Sequence, residues 1–519
     1  MARYIFLLFV VSWALGVEAA LAPFAQDYLN KIPEKKLTLE FVVQTALMNS
    51  DSYRIIGLQY QESDLEELSL NGETDTVFSG GTNYYDDNTV KDSQFQPARS
   101  KKWDWSLGFS KKWATGTRTS LNWVHEWNHS QFSSFTQSVF GNSFVPEFKR
   151  TTAVFNIEQS LLKDSFGYSY REKLKASKKR GEALKWKSQE DLENTTLAFI
   201  GEFYSAWLLQ QQVGSLKEQV QRQKKLVRVM KRKNKKGAVE KPELIQVEAL
   251  LSSTVIRYEQ VKAQLITQWE KLVFGLKLPQ EFIQVEPMDI PTKIDEPVKT
   301  GLKMCGLKDP RETATIMGLK KNLEAAKSDF AASKNGSLPD LKLIAGYRGT
   351  GLDSSGSQAN EDVLDGKYNG PNPGLGPAWN VGLSLAWPLD NSFARVDRTK
   401  KYLTKEKIKA QLEIEKDSLK SSWRELCRNL RVESENEKTY RNVVLEQRKR
   451  VRAESRRFSL GRITVDQLVT AEDDLSNWEF QSHQKSIQVR QIAWNVQRVS
   501  GELYRKISPV IEARMKDSQ

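Results

Sequence analysis

Between Leu389 and Ser500 the sequence runs for 112 residues with no proline and one glycine, Gly461. Helix breakers this sparse predict a chain that stays helical for a long way. Leu412, Leu419, Trp423, Leu426 and Leu430 follow sevens and 4-3-4 steps. Beyond the glycine, Leu468, Ala471, Leu475 and Trp478 step 3-4-3, as do Val489, Ile492, Val496 and Val499. These are coiled-coil seams, narrower than the stripe of a compact globular helix. A 70-residue helix would be about 105 Å long, far longer than a soluble domain is wide.

The same plan occurs earlier. "NKKGAVEKPELIQVEALL" lies over "SLGRITVDQLVTAEDDL" at a constant offset of 224, which matches Gly237 to Gly461, Val239 to Ile463 and Leu244 to Leu468. Upstream, "SLLKDSFGYSYREK" is similar to "WPLDNSFARVDRTK". A repeat of this length means two copies of one structural unit. Each long helix is expected to run out, turn at its glycine and return as a second helix.

Before its helices each copy alternates with period two. In "WDWSLGFS" Trp103, Trp105, Leu107 and Phe109 oppose Asp104, Ser106, Gly108 and Ser110. In "SLNWVHEWNH" Leu121, Trp123, His125, Trp127 and His129 oppose Asn122, Val124, Glu126 and Asn128. "WNVGLSLAWPL" sets Trp379, Val381, Leu383, Leu385 and Trp387 against Asn380, Gly382, Ser384 and Ala386. Such alternation predicts β-strands with one apolar face. It suits a half-buried antiparallel sheet or a membrane β-barrel with lipid outside and water inside.

The first residues favour the barrel. Arg3, an apolar run to Val17 and "VEA" form the pattern of a secretory signal peptide cleaved after Ala19. Nothing else reads as a transmembrane helix. Cys305 and Cys427, 122 positions apart, make no disulfide framework and are expected to be unpaired packing residues. The net charge of +13 is spread among acidic residues in helical segments and reads as solvated helix faces, with no nucleic-acid partner. Loop lengths agree with the barrel. The turn at Gly116 is tight, whereas "SQFSSFTQSVFGNSFVPEFKR" and the Gly/Asn/Asp-rich stretch after "LKLIAGYRG" are long loops on the far side.

At this point the sequence resembles the TolC-like outer-membrane efflux proteins. "LTLEFVVQTALMNSD", "NGSLPDLKLIAGY", "EQSLLKDSFG" and above all "RFSLGRITVDQLVTAEDDL" carry the resemblance, which spans the mature chain in two copies. It implies an α+β membrane protein: strands contributing to a trimeric outer-membrane β-barrel, and long antiparallel coiled-coil helices forming a periplasmic α-barrel. The expected divisions are a signal peptide (1–19), a first repeat (20–277), a Pro-rich connector (278–301), a second repeat (302–505) and a tail (506–519). Strands are placed at about 74–160 and 340–389, with helical hairpins at about 164–277 and 392–505.

The function implied is that of a passive exit duct, without cofactor or resident metal. It would carry substrates from a periplasmic adaptor and an inner-membrane pump, in efflux or type I secretion, across the outer membrane of a Gram-negative bacterium. The resemblance places adaptor docking at the glycine turns: Gly237, Ala238 and Val239 with Leu460, Gly461, Ile463 and Thr464. Bare glycine backbone lets a helix reverse and a partner approach. Pro242 fits the first helical position after the first turn. Trp103, Trp105, Trp123, Trp127, Trp379 and Trp387 are expected at the membrane interfaces.

The sequence departs from the family in two respects. Members commonly have two strands per repeat, whereas four plus two are counted here. A trimer would then have eighteen strands in place of twelve, unless the hairpin Trp103–His129 projects from the barrel. The entrance aspartate, tyrosine and arginine positions of some members fall near Ser476, Gln481, Lys485 and Gln488, which do not match. Asp466, Asp473 and Asp474 are the candidates left for an acidic entrance.

Two other functions compete. One is an exported structural coiled-coil or adaptor protein without a barrel. The other is a zinc metallopeptidase, from the H-E-x-x-H spacing of His125, Glu126 and His129. In a strand those histidines stand roughly 13 Å apart, which no single ion bridges. The enzyme reading is therefore set aside.

Overall fold

The computed structural model describes residues 37–93, 95–140, 146–237, 239–278, 290, 296–307, 309–353, 368–369 and 377–517. Helices α1 (Leu39–Asn49) and α2 (Asp51–Asn71) lead into strands β1 (Thr76–Asp87), β2 (Arg99–Lys112) and β3 (Thr117–Gln131). A short helix α3 (Ser134–Phe140) precedes β4 (Glu147–Ser160), and a long hairpin follows, α4 (Tyr168–Lys235) and α5 (Lys241–Gly275). Then come α6 (Glu296–Met304), α7 (Ala314–Gly336), β5 (Asp340–Asp353), the two-residue β6 (Tyr368–Asn369) and β7 (Ala378–Ala386). The second long hairpin, α8 (Ser392–Ser459) and α9 (Val465–Val499), is followed by α10 (Glu502–Asp517).

The sequence repeat is a structural repeat. Helices α4 and α8 both have 68 residues, and α5 and α9 both have 35. Tyr168 and Ser392, like Lys241 and Val465, are 224 positions apart. At 1.5 Å per residue the longer helices extend about 100 Å. The strands break this offset: Thr76 and Asp340, which open the first strand of each copy, are 264 apart. The 40-residue difference is the room that the β2–β3 hairpin takes in the first copy.

Contacts divide the chain into a helical unit (Met1–Tyr60, Lys185–Met317, Glu413–Gln519) and a unit carrying the sheet (Gln61–Leu184, Gly318–Leu412). The helical unit is held by several apolar clusters. The largest gathers Tyr53, Ile200, Phe203, Tyr204, Trp269 and Trp494 among others. The Tyr53 hydroxyl meets Thr196 Oγ1 at 2.8 Å and Trp494 Nε1 donates to Tyr204 at 3.0 Å, whereas the buried Trp207 Nε1 of the same cluster has no hydrogen-bond partner among the described residues. A second cluster packs Val298 and Cys305 on Trp423, Cys427, Leu430 and Val489. Here the expectation of unpaired cysteines is corrected, because Cys305 and Cys427 are disulfide-bonded with their Cα atoms 5.5 Å apart. Across a separation of 122 positions the chain brings α8 back to the end of α6, a tertiary meeting that spacing along the chain does not announce.

In the sheet unit β1, β2, β3, β4 and β5 are antiparallel neighbours in that order, and β7 pairs antiparallel with the other edge of β5. The Trp103–His129 hairpin does not project from the sheet. Its strand β2 pairs with β1 and its strand β3 with β4 along almost their whole lengths. The four-plus-two count thus becomes one continuous sheet of six long strands. Helix α6 occupies part of the segment expected as connector, and α10 carries the chain through the expected tail to Asp517. The signal-peptide segment, most of the connector, Ala238 and most of the second-copy loop lie outside the described residues.

Candidate functional site

Two regions bear on function: the face of the sheet, and the turns of the two long hairpins. On the sheet, one row runs from edge to edge through register partners Phe78, Phe109, Leu121, Phe155, Tyr347 and Trp379. Rows two residues to either side continue the same face, with Leu107 and Trp123 above and Ile157, Ala345 and Val381 below. The opposite face is polar and small. Its matching row reads Val77, Ser110, Ser120, Asn156, Gly346 and Asn380. A Cβ added to Gly108 would run into Ser79 and Asn122, and one on Gly346 into Asn156 and Asn380. These glycines make room for polar side chains to lean across the strands.

The apolar face has a border. Asp86, Lys101, His129 and Glu147 form a charged row, and next to it stand Tyr84, Trp103, Trp127 and Lys149. Trp127 Nε1 donates to Glu147 at 2.8 Å, so the indole body lies on the apolar side and its polar edge on the charged side. Of the other expected interface tryptophans, Trp105 lies one row deeper, Trp123 two and Trp379 three. Trp387 follows the last residue of β7. Lys111 sits within the apolar face and places its ammonium over the Trp113 ring at 4.8 Å. Six rows from Tyr84 and Trp103 toward the helices span about 34 Å of strand, or about 24 Å of height at a tilt near 45°.

The H-E-x-x-H stretch lies inside β3. His125 stacks on Trp105 and meets Thr151 Oγ1 at 2.8 Å, while His129 stacks on Trp127 and faces Glu147 at 3.5 Å. Glu126 is on the other face, paired with Lys102 at 3.2 Å. The strand separates the three groups that a zinc peptidase must bring together.

At the hairpin turns the local chemistry explains the reversal. Gly237 and Gly461 have φ of +70° and +72°, and a Cβ built on either would meet nothing within 4 Å. The glycine is there for its left-handed backbone, since space would admit a side chain. In the second turn Gly461 N–H donates to Phe458 O at 3.0 Å and Arg462 N–H to Arg457 O at 2.9 Å, the paired bonds of a Schellman cap. Thr464 then caps α9 by accepting from Gln467 N–H. At the equivalent place in the first copy Glu240 precedes α5 without a side-chain cap, and Pro242 is the second helical residue, one later than expected.

The two turns share a core: Met230, Val247, Phe458, Val465 and Leu468 are buried together, with Val239 and Ile463 packed against them. Leu460 stands 67% exposed beside Gly461. Of the candidate entrance carboxylates, Asp466 accepts from Gln246 at 2.7 Å and Asp474 from Arg450 at 2.8 Å. Burial and neighbouring Asp474 push the Asp473 carboxyl above its ordinary range.

Sequence reading missed the charged residues inside α9. Glu472 and Glu479 are 4% and 2% exposed and lie one heptad apart, with Ser486 and Ala493 continuing the column at sevens. Glu479 is held by Arg448 at 2.8 Å, and Glu472 faces Arg222 at 3.8 Å. The signal was present as an exact heptad column. Two glutamates in it make the column look like a solvent face.

No protein-family model matches this sequence, and no curated protein matches it. Solved structures do. The outer-membrane channel OprN is 14% identical with a TM-score of 0.63, covering 89% of this chain and 89% of that one. The CmeC outer-membrane channel of Campylobacter jejuni is 13% identical with a TM-score of 0.63, over 91% of this chain and 89% of its own. The outer-membrane protein VceC of Vibrio cholerae is 12% identical with a TM-score of 0.62, over 91% and 96%. Identity this low carries the architecture alone, and the architecture agrees with what the order of motifs implied: this chain has the α+β fold of the TolC-like outer-membrane channels.

Proposed function

We propose that the chain is the outer-membrane exit duct of an efflux or type I secretion system. Three copies close a β-barrel in the outer membrane and continue it into the periplasm as a tunnel of antiparallel helices. Substrates pass passively from an inner-membrane pump through a periplasmic adaptor, which meets the glycine turns. The observation that carries this reading is the edge-to-edge apolar row of the sheet. Such a face, bordered by an aromatic and a charged row, fits lipid, and in water it would be an aggregation surface. Its two edges, β1 and β7, are exposed along nearly all their residues. A membrane sheet with open edges leaves backbone groups unsatisfied, so closure needs further copies.

Six strands per chain give the trimer eighteen. With strands about 4.8 Å apart and tilted about 45°, that barrel is about 39 Å across, against about 26 Å for twelve strands. The large polar residues Asp104, Glu126, Arg150 and Arg348 would then face a water-filled lumen.

Membrane fractionation and planar-bilayer recording test the reading together. The expected result is a heat-sensitive trimer in the outer membrane that forms steady conducting pores. Recovery as a soluble periplasmic protein, or a membrane protein without conductance, would overturn it in favour of an exported coiled-coil protein.

A further inference from the structure

The positive charge of this chain has a location. Residues 224–245 and their repeat equivalents 448–469 contain sixteen Lys and Arg and four Asp and Glu, a net of +12. The whole chain carries +13, so everything else sums to +1. The two segments are the ends of α4 and α8 with their turns and the first residues of α5 and α9. They are far apart in sequence, yet the shared core of Phe458, Met230 and Val247 sets them side by side. Lys233 lies over the Phe458 ring at 4.6 Å and donates to Phe458 O at 3.2 Å. The expectation that the charge is spread over solvated helix faces is therefore corrected: the hairpin tips form one cationic surface.

Helix ends account for little of it. Each carboxyl terminus presents about half a negative charge, so two helices offset about one cation. Carboxylates neutralise only part of the tips. Lys231 reaches Glu248 and Arg457 reaches Glu454, at 2.9 and 3.3 Å, and Arg448, Lys449 and Arg450 reach Glu479, Glu446 and Asp474 at 2.8, 2.9 and 2.8 Å. Exposed Lys224, Lys225, Lys235, Lys236, Arg456 and Arg462 have no carboxylate partner among the described residues. Such a concentration costs self-repulsion when it faces water, and a partner of opposite sign relieves it.

We infer that the tips dock an acidic protein surface, one bearing several carboxylates around a small apolar contact. The centre of the surface specifies a protein over a lipid headgroup layer. Exposed Leu460 and the open backbone of Gly237 and Gly461 offer an apolar knob beside two bare notches, and the cations surround them. An apolar centre with a polar rim is the anatomy of a protein interface. This inference rests on the duct reading only in naming the adaptor as the protein docked there. Charge complementarity would set the on-rate and the choice of adaptor, and salt would weaken it.

The test uses the full chain purified in detergent and three probes. One is a synthetic antiparallel helical hairpin with six Glu around its turn, and the second has Gln at the same positions. The third is a phosphatidylcholine vesicle containing about 30% phosphatidylglycerol. The Glu hairpin is expected to bind at least about tenfold tighter than the Gln hairpin at low salt, and to lose at least about tenfold on raising salt from about 50 to 500 mM. The quadruple variant Lys235→Gln, Lys236→Gln, Arg456→Gln and Arg462→Gln removes only exposed side chains and should cost at least a further tenfold. Equal binding of the Gln hairpin, undiminished binding by the variant, or tighter binding of the vesicle than of the Glu hairpin each overturns the inference. Bilayer conductance keeps the two readings apart: a wild-type chain that binds the Glu hairpin but never conducts sinks the duct and leaves the acidic docking standing.

Discussion

Arg490 Nη1 donates to Glu437 Oε1 at 2.9 Å with both side chains at least nine-tenths buried. Ser486 Oγ and Arg441 Nη2 reach the same carboxylate oxygen at 2.6 and 2.7 Å. Burial works against ionisation of Glu437, but Ser486, Arg490 and Arg441 together hold its carboxyl below the ordinary range. Breaking such a pair from one side leaves the other charge buried and costs about 3–5 kcal/mol, whereas replacing both by apolar residues is close to neutral. Arg490→Met should therefore lower the thermal midpoint of the detergent-solubilised protein sharply, and Arg490→Met with Glu437→Leu should restore most of the loss. A double variant no better than the single one would show that the network stabilises by more than mutual compensation.

Glu472 predicts a pH dependence of opposite sign to the usual carboxylate. Burial pushes its pKa from 4.5 up to about 6, against the pull of Arg222, while neighbouring Asp473 adds to the rise. The folded chain thus holds this proton more tightly than the unfolded chain. The stabilising contribution is fully present below about pH 4.5 and is lost as pH rises through 6. His483 opposes it: burial, with Arg448 and Arg441, holds the imidazole down to about 4. Its contribution is present above 6.5 and lost as pH falls toward 4. Glu472→Gln should therefore gain stability over the parent between pH 4.5 and 7.5, by at most about 2 kcal/mol. A melting difference that stays flat across that range would count against the assignment.

The disulfide closes a loop of 122 residues, long enough that the chain-entropy account gives it a large effect. Loss of the Cys305–Cys427 bond should cost about 2–5 kcal/mol. The double variant Cys305→Ala, Cys427→Ala should melt several degrees below the parent. Reductant should lower the parent's midpoint toward that of the variant and leave the variant unmoved. A parent insensitive to reductant under unfolding conditions would contradict this role.

Much of the architecture was legible because it is local. The 224-residue offset read from Gly237 and Gly461 recurs to the residue in the ends of α4, α5, α8 and α9. Period-two alternation placed His125 and His129 in a strand, and that single assignment dismissed the zinc motif. What escaped depends on tertiary meetings. Cys305 and Cys427 meet only after the chain has gone out and back, and "KRKNKK" and "RKRVRAESRR" form one patch only once both hairpins are paired. Glu472 and Glu479 escaped for another reason: a binary pattern assigns charge to solvent, and only the partners on neighbouring helices make burial affordable.

The edges of the sheet carry the last prediction. β1 and β7 each have one side without a strand neighbour among the described residues, and they run in opposite directions across five antiparallel pairings. A heterologous contact between the β1 edge of one copy and the β7 edge of the next continues the sheet antiparallel and closes as a ring. Cysteine placed at Ser79 in β1 and, in separate variants, at Asn380, Gly382 or Ser384 in β7 should cross-link neighbouring copies. Oxidised membranes should then yield dimers and trimers in at least one pairing. Ser120→Cys in β3, two strands in from the β1 edge, should stay monomeric under the same conditions. The pore should conduct more than a twelve-stranded barrel of equal length, because conductance scales with the lumen's cross-section and eighteen strands about double it. Failure of every β1–β7 pair to cross-link, with Ser120→Cys reacting instead, would mean that the sheet does not close through these edges.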